Sequence, residues 1–220
     1  MESSVKSRRP YDSQRRREQA AQTRRDIEAA ADKLFRERGY VGTSMPAIAA
    51  EAGVVVETVY RAFGSKAGLL KAVLEAALAG GSERAERPPV ERPAIRAVIE
   101  EPDPRRKLEL YAATQPGVHG RSSPLYRVLV AAADSDQELR DALDGMEARR
   151  LHGLAGLAAQ LAESRALRSD LSVDDARDVI WTLCSTPVHD LLVRERGWTS
   201  QRYRDWLAAA LKRELLKERV

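Results

Sequence analysis

The segment TSMPAIAAEAGVVVETVYRAFGSKAGLL, residues 43–70, contains the start and stop signals of two short helices and the start of a third. Thr43 and Ser44 are both residue types that cap helix N-termini by accepting a hydrogen bond from a free amide. Gly53 can take the positive φ that ends a helix, and Gly64 repeats that signal further along the chain. The segment therefore predicts two helices of about two turns each, joined by a tight turn. Helices this short are not stable alone, so we expect them to be packed against the rest of the protein.

The second of these helices, residues 56–63, has one apolar side and one polar side. Val59 and Phe63 lie four residues apart and point inward, whereas Thr58 and Arg61 point outward. A hydroxyl and a guanidinium on one exposed surface suit contact with DNA phosphates. A helix pair joined by a tight turn also commonly lays its second helix in the major groove. The alternative is an ordinary helical hairpin of the core whose exposed side is merely polar.

The positive charge of the chain is concentrated at the same end. Residues 1–66 hold 13 Lys and Arg against 9 Asp and Glu, whereas the remaining 154 residues hold 24 of each. Such an excess on one part of a chain is typical of a nucleic-acid-binding surface. Residues 1–22 contain two arginine runs and no apolar repeat, which predicts a flexible basic arm. The arm either follows phosphates or a minor groove, or it is a solvated tail, or its residues from Tyr11 onward extend the first helix backwards.

An ordered set of residues extends from the first helix through the hairpin. Its members are Ile27, Ala30, Ala31, Leu34, Phe35, Gly39, Tyr40, Thr43, Ser44, Met45, Ile48, Ala49, Ala52, Gly53, Val54, Thr58, Val59, Tyr60, Phe63, Ser65, Lys66, Leu69 and Leu70. Over residues 24–70 this set resembles the DNA-binding domain of the tetracycline repressor (TetR) family of bacterial transcriptional regulators. The resemblance implies an all-α fold in which a three-helix DNA-binding domain precedes a larger helical domain for effector binding and dimerisation.

The resemblance also implies roles for individual residues. The phosphate backbone is expected to be held by Thr43 or Ser44, Thr58, Tyr60 and Lys66, and base edges are expected within reach of Val55, Val56, Glu57 and Arg61. Val55 departs from the family, which often has a capping Ser there, and a missing cap costs about 1 kcal/mol. Glu57 either accepts a hydrogen bond from a cytosine amino group or only favours the helix N-terminus through the dipole.

Beyond Lys66 the chain continues to predict helices. The expected organisation is a basic arm over 1–22, a helix-turn-helix domain over 23–66, and an effector-binding and dimerisation domain over 67–220. The expected helices of the last domain are 66–78, 94–100, 105–114, 124–133, 137–163, 174–193 and 200–217. Pro116 with Gly117 is expected to interrupt a helix, and Pro187 to kink or restart one.

The last two helices predict a homodimer. They offer a wide apolar surface that includes Val179, Ile180, Leu183, Leu191, Tyr203, Trp206, Leu207, Ala210 and Leu211. Two such helix pairs can bury this surface as a four-helix bundle between subunits, and a two-fold dimer places two recognition helices about 34–36 Å apart for successive major grooves. The alternative is that these helices close the core of a single chain. TetR-type regulators commonly pair through their last helices, and so the resemblance favours the dimer.

The resemblance further implies a small-molecule effector that binds among the middle helices and releases the protein from DNA. The sequence offers Tyr111, Leu129, Met146, Leu154 and Trp181 as candidates for that pocket. For each of them, packing in the core is the alternative. The predicted function is a repressor released from a palindromic operator, with double-stranded DNA as its partner, and the other hypothesis is a helical interaction adaptor without DNA binding.

Catalytic and cofactor motifs are missing from the sequence. The three histidines, His119, His152 and His189, have no metal-ligand spacing, and no glycine-rich phosphate loop or nucleophile elbow is present. We therefore expect no enzyme activity, no cofactor and no metal. Cys184 is the one cysteine, which excludes an intrachain disulfide and predicts a small buried residue. Without an apolar run of 18 residues or a signal peptide, a cytoplasmic soluble protein is expected.

Overall fold

The computed structural model describes residues 9–218, and apart from an isolated bridge between Leu167 and Leu216 every regular element in that range is helical. The helices are α1 (Arg9–Arg38), α2 (Met45–Glu51), α3 (Val56–Phe63), α4 (Lys66–Ala79), α5 (Ser82–Ala85), α6 (Pro93–Glu100), α7 (Pro104–Ala133), α8 (Gln137–Glu163), α9 (Val173–Leu183), α10 (Thr186–His189) and α11 (Ser200–Leu215). A 3-10 turn (Pro89–Glu91) precedes α6, and a π-helix (Asp190–Glu195) follows α10. The predicted all-α fold is confirmed.

The chain divides after Val73 into two compact units. In the first unit α1 packs on α2 and α2 packs on α3. Leu34 and Phe35 of α1, Ile48 of α2 and Val59 of α3 are buried together in its core. The apolar stripe of α1 and the two short helices thus form the expected three-helix arrangement.

The first helix begins earlier than the sequence predicts. The flexible arm expected over residues 1–22 is helical from Arg9 onward, and residues 1–8 lie outside the described part of the chain. Arg, Gln, Glu and Ala dominate this stretch, and all four have high helix propensity. Side-chain hydrogen bonds one turn apart, Gln14 to Glu18 (3.0 Å) and Gln22 to Asp26 (2.8 Å), add support. The prediction of a flexible arm is therefore wrong over 9–22, and the alternative of an extended helix holds there.

The second unit is built on four longer helices. α7 packs on α8 and α11, and α9 also packs on both α8 and α11. Leu108, Leu161, Ile180 and Leu211, one from each of these helices, are fully buried in their shared core. α8 has the bounds that the sequence predicts, because its apolar residues recur at helical intervals without a break.

The interruption expected at residues 116–117 is wrong. α7 continues unbroken through Pro116 and Pro124. Each proline removes one backbone hydrogen bond from the helix interior, which normally bends or ends a helix. Packing of α7 against α8 and α11 along its length compensates for that loss. The Ser122 hydroxyl also donates to the Val118 carbonyl oxygen (2.9 Å) between the two prolines.

Pro187 restarts the chain as a new helix. α10 begins behind Ser185, whose hydroxyl accepts a hydrogen bond from the amide of Val188 (3.4 Å). The chain then continues as the π-helix Asp190–Glu195, a rare conformation that is often found at functional positions. The single helix expected over 174–193 is therefore three consecutive segments.

Lys107 of α7 is a buried cation without a carboxylate partner. Its ammonium donates to the carbonyl oxygens of Val98 (2.7 Å) and Ile99 (2.9 Å) and to Oε1 of Gln160 (2.9 Å). Burial lowers the pKa of this lysine, with Glu101 partly opposing the shift. The three hydrogen bonds join the end of α6 to α7 and α8, which fixes the short α6 on the unit.

Candidate functional site

Helix α3 has one side inside the first unit and one side exposed. Val59 is fully buried, whereas Val55 is 66% exposed and Tyr60 is 49% exposed. Gly53 and Gly64, which end α2 and α3, have φ angles of 67° and 75°, in the left-handed region that favours glycine. The turn chemistry expected from the sequence is therefore present at both ends of the hairpin.

Eight of the nine predicted DNA-contacting residues have side chains that a ligand can reach. Ser44, Val55, Glu57, Tyr60 and Arg61 are exposed, and Val56, Thr58 and Lys66 are half-buried. Nη2 of Arg61 lies 3.4 Å from Oγ1 of Thr58, so the guanidinium and the hydroxyl form one polar surface on α3. The first unit thus presents hydroxyl, guanidinium and apolar groups side by side on one helix.

Thr43 does not belong to that surface. It is 1% exposed, and its hydroxyl lies 2.8 Å from the Gly39 carbonyl oxygen and 3.1 Å from that of Leu34. A buried hydroxyl that donates within the chain is not available to a phosphate, which contradicts the role predicted for Thr43. The neighbouring Ser44 remains exposed and caps α2, where its Oγ accepts from the Ala47 amide (3.3 Å).

Lys66 is turned toward the loop between α1 and α2. Its Nζ donates to the carbonyl oxygens of Tyr40 (2.8 Å) and Thr43 (2.9 Å) and lies 4.0 Å from the centre of the Tyr40 ring. Two of its three N–H groups are therefore used inside the unit. Only the third is left for a phosphate, so Lys66 positions the loop as well as carrying charge.

Val55 occupies the N-cap position of α3 without a side-chain hydrogen bond, as the sequence predicts. Glu57 lies in the first turn of the same helix, where a carboxylate interacts favourably with the dipole. The start of α3 is therefore stabilised by charge rather than by a cap, and it presents an apolar side chain at its exposed tip.

The effector candidates lie in different surroundings. Leu129 (1% exposed) and Leu154 (4%) are packed in the core, whereas Met146 and Tyr111 are half-buried. Trp181 is 37% exposed, and its indole N–H donates to Oε2 of a glutamate on α8 (3.2 Å). The five residues therefore differ in exposure, and for the two leucines the structure agrees with core packing.

A buried polar cluster that the sequence does not reveal lies between α7, α10 and the π-helix. Asp190 accepts hydrogen bonds from Ser123 (2.5 Å), from Arg127 (2.7 Å) and from Nδ1 of His189 (3.1 Å). The ring of His119 stacks on that of His189 with 4.9 Å between centroids. Burial opposes ionisation of Asp190, but the three hydrogen bonds outweigh it and hold its pKa below the ordinary value. Single histidines far apart in the sequence gave no signal for this cluster.

Next to this cluster, several neutral polar groups are buried. The Tyr203 hydroxyl is buried and lacks a hydrogen-bond partner, and its ring meets that of His189 edge-on at 5.1 Å. Burial raises the pKa of the Tyr111 and Tyr203 hydroxyls, and it raises the pKa of the Cys184 thiol to about 12. All of these groups are therefore neutral at physiological pH, and Cys184 is the buried residue expected from its neighbours.

His119 should make the stability of the second unit depend on pH. Burial, followed by the neighbouring His189, lowers the pKa of His119 to about 4 from an ordinary value of 6.5. Below pH 6.5 the unfolded chain binds a proton that the folded chain does not, so stability is complete above pH 6.5 and falls as pH approaches 4. The shift corresponds to about 3 kcal/mol.

The measurement is urea unfolding followed by tryptophan fluorescence between pH 7.5 and 4.5, because all three tryptophans lie beyond residue 180. We expect His119→Gln to flatten the profile, while the same change at the exposed His152 leaves it unaltered. Identical profiles for the two variants would show that His119 does not cause the dependence.

Five of the predicted dimer-interface residues belong to the core of the single chain. Ile180, Tyr203, Leu207, Ala210 and Leu211 are each at most 1% exposed, so they are not available to a partner. This part of the prediction is wrong, because α9 and α11 use these side chains to pack on α7 and α8. The remaining four keep accessible surface: Val179, Leu183 and Trp206 are half-buried and Leu191 is 54% exposed.

Within residues 9–218 there is no group of three or more His, Cys, Asp or Glu side chains that could hold a metal ion. No helix in that part of the chain is both long and apolar enough to cross a membrane.

Comparisons with known proteins agree with this geometry. Residues 27–73 match the family model described as bacterial regulatory proteins, tetR family. The chain resembles the crystal structure of a putative TetR-family transcriptional regulator from Mesorhizobium loti, with a TM-score of 0.68, 21% identity, and coverage of 89% of this chain and 96% of that one. No curated protein matches the sequence.

Two further solved structures share the fold. NalD, described as the secondary repressor of the MexAB-OprM multidrug efflux pump in Pseudomonas aeruginosa, is 24% identical with a TM-score of 0.68, over 90% of this chain and 99% of that one. The transcriptional regulator FadR from Bacillus subtilis, in complex with stearoyl-CoA, is 20% identical with a TM-score of 0.64, over 86% and 97%. At these identities the structural likeness establishes the fold.

Proposed function

We propose that the exposed side of α3 binds double-stranded DNA, because residues 27–73 match the family of bacterial regulatory proteins described as the tetR family. The observation that carries the proposal is the geometry of α3 itself. Val59 anchors the helix inside the unit, while Val55, Tyr60 and Arg61 face outward. A short, docked helix with a polar and cationic outer side fits a major groove about 12 Å wide.

The exposed residues divide by chemistry into two roles. Ser44, Thr58 and Tyr60 carry hydroxyls that donate to phosphate oxygens and so fix the position of α3 on the duplex. Arg61 can bond O6 and N7 of a guanine, and Val55 with Val56 can contact thymine methyl groups. Lys66 contributes its third N–H and its charge to the backbone. Thr43 is omitted, because its hydroxyl is buried.

Arg61→Ala tests this assignment. From randomised DNA, the wild-type protein should select a two-fold symmetric site. The variant should select a site in which one base pair of each half-site is no longer preferred. One bidentate contact discriminates by about 1–3 kcal/mol, which corresponds to a loss of about five- to 150-fold in base preference. Lys71→Ala removes the same charge from an exposed position of α4 and serves as control. An unchanged base preference in Arg61→Ala would assign readout to other residues.

We also propose that the protein acts as a homodimer, because a two-fold protein is needed for a two-fold operator. Val179, Leu183, Leu191 and Trp206 retain accessible apolar surface on the last helices and are the candidates for contact with a second copy. Sedimentation at micromolar concentration should give twice the chain mass, and Leu191→Asp should shift it toward the monomer. A wild-type monomer at that concentration would contradict the proposal.

We further propose repression that a small molecule relieves. The repressor description of NalD and the stearoyl-CoA bound to FadR support this for the present chain. Within the second unit, the unpartnered Tyr203 hydroxyl near Tyr111 and Cys184 is a neutral, buried group that an effector could satisfy. A ligand needs no charge to bond this neutral hydroxyl, so we expect a largely apolar molecule with one hydrogen-bonding group.

Linkage gives the test of the effector proposal. A compound that lowers DNA affinity must bind less tightly to the DNA-bound protein by the same factor. Tyr203→Phe removes only the hydroxyl, so it should weaken binding of the effector. The DNA affinity measured without effector should be unchanged. If Tyr203→Phe responds to the effector as the wild type does, the pocket lies elsewhere.

A helical interaction adaptor without DNA binding remains the second candidate. It predicts that the exposed residues of α3 have no role in binding and that DNA of any sequence binds weakly or not at all.

A regulator of transcription in a bacterium acts in the cytoplasm, which we propose as the location of this protein.

A further inference from the structure

A groove of about 520 Å³ lies between the N-terminal half of α1 and helix α3. Its α1 wall consists of Arg16, Gln19, Ala20, Thr23, Arg24 and Ile27, and its other wall of Val54, Val55, Thr58, Arg61 and Ala62. Positions 16, 20, 23, 24 and 27 recur at helical spacing, so α1 contributes one continuous face. The groove therefore belongs to a single unit and opens beside the exposed side of α3.

Apart from Ile27, the α1 residues that line the groove precede the residues that match the family model. The match begins at residue 27, whereas α1 begins at Arg9. Between residues 9 and 25 the sequence holds six arginines and two carboxylates. The additional helix therefore brings a cationic wall next to the recognition helix.

The groove combines an apolar floor with a cationic rim. Ala20, Val54 and Ala62 supply apolar surface between the arginines at positions 16, 24 and 61. Arg24 is held at the rim, where its guanidinium lies 4.2 Å from the centre of the Phe63 ring and donates to the Ala62 carbonyl oxygen (3.0 Å). Glu28 pairs with Arg24 at 3.1 Å, so the positive charge of Arg24 is partly offset there.

We propose that this groove binds the sugar–phosphate backbone of one DNA strand, beside the bases that α3 contacts. Deoxyribose rings pack on the apolar floor, while the side chains of Arg16 and Arg24 bond the phosphates on either side and Arg61 reaches the bases. Charge decides against an apolar protein segment as the occupant, because three arginines surround the groove. The inference rests on the proposed DNA binding of α3 and extends the contact to residues 16–24.

Salt dependence tests the arginine rim. Each phosphate contact adds about 0.9 to the slope of log affinity against log salt concentration. In a dimer, Arg16→Gln should therefore reduce the slope by about 2 and lower the affinity for operator and for unrelated DNA to a similar degree. Arg25→Gln is the matched control, since position 25 is on the opposite side of α1 and outside the groove. Its slope should change by clearly less.

A matched pair of charge insertions tests the floor. Ala20→Glu places a carboxylate in the groove, and Ala21→Glu places the same charge on the next residue, which is exposed and outside it. We expect Ala20→Glu to weaken DNA binding at least tenfold more than Ala21→Glu, with similar helical content by circular dichroism. Equal affinities for the two variants, or an unchanged slope in Arg16→Gln, would overturn the groove proposal while leaving α3 as a DNA-binding helix. Absence of DNA binding by the wild-type protein would overturn both.

Discussion

Lys66→Met should loosen α2 and α3 and weaken DNA binding at the same time. The change removes the charged donor from the carbonyl oxygens of Tyr40 and Thr43, to which Nζ is bonded at 2.8 and 2.9 Å. Hydrogen bonds from a charged group contribute about 1.5–3 kcal/mol each, so the loss is about 2–4 kcal/mol after partial rehydration. Amide hydrogen exchange of α2 and α3 should therefore accelerate by more than tenfold, and the dissociation constant for DNA should rise.

Lys71→Met controls for the loss of one positive charge, because Lys71 is an exposed residue of the same helix. It should leave the exchange of α2 and α3 unchanged. If Lys66→Met weakens DNA binding without accelerating that exchange, Lys66 acts only through a phosphate, and its role in holding the loop is refuted.

Asp190→Ala should be the most destabilising change in the second unit. Asp190 is 7% exposed and accepts hydrogen bonds from Ser123, Arg127 and His189. Without the carboxylate, the Ser123 hydroxyl and Nδ1 of His189 lose their buried hydrogen-bond acceptor, whereas Arg127 is exposed enough to regain water. We expect a loss of about 3 kcal/mol in the free energy of unfolding.

Tryptophan fluorescence during urea unfolding measures this loss, since it follows the second unit alone. Asp205→Ala is the matched control: its carboxylate bonds Gln201 and Arg204 on the surface of α11, and its removal should cost less than 1 kcal/mol. The effect of Asp190→Ala should also disappear as pH falls below the lowered pKa of Asp190, where the carboxyl group is protonated in the wild type. Equal destabilisation by the two variants would contradict the proposed weight of the buried cluster.

Local signals in the sequence were sufficient for the first unit. Gly53 and Gly64 at positive φ, the Ser44 cap and the apolar stripe of α1 predict α2, α3 and the end of α1 where the structure has them, whereas the start of α1 at Arg9 was not predicted. Each of these features depends on residues a few positions apart, which a sequence displays directly. The bounds of α8 were equally predictable, because its apolar repeat is uninterrupted.

Features that depend on distant residues were not predictable. Pro116 is tolerated inside α7 because other helices pack along it, and the sequence around the proline does not record that packing. Tyr203 and Leu207 were expected at a subunit interface, but the same apolar character serves the core of one chain. An apolar stripe shows that a surface is buried without showing what covers it.

The candidate site shows the same division. The outward side of α3 followed from its helical period, and its exposed residues are where the sequence predicts them. Thr43 and Lys66 were assigned to phosphate contacts. In the structure the Thr43 hydroxyl donates to the Gly39 carbonyl oxygen, and Lys66 donates to the carbonyl oxygens of Tyr40 and Thr43, which are more than twenty residues from it in the sequence. The cluster around Asp190 joins α7 to residues more than sixty positions away, and no local pattern announces it.

Titration of the full-length protein against the DNA upstream of its own gene, at 50 and 200 mM salt, tests the central claim most directly. A duplex of equal length and scrambled sequence provides the comparison. The account predicts tighter binding to the upstream DNA, with affinity for both duplexes falling steeply at the higher salt because phosphate contacts release counterions. Absence of binding, or equal affinity for both duplexes at both salt concentrations, would contradict the assignment of α3 as a sequence-specific DNA-binding helix.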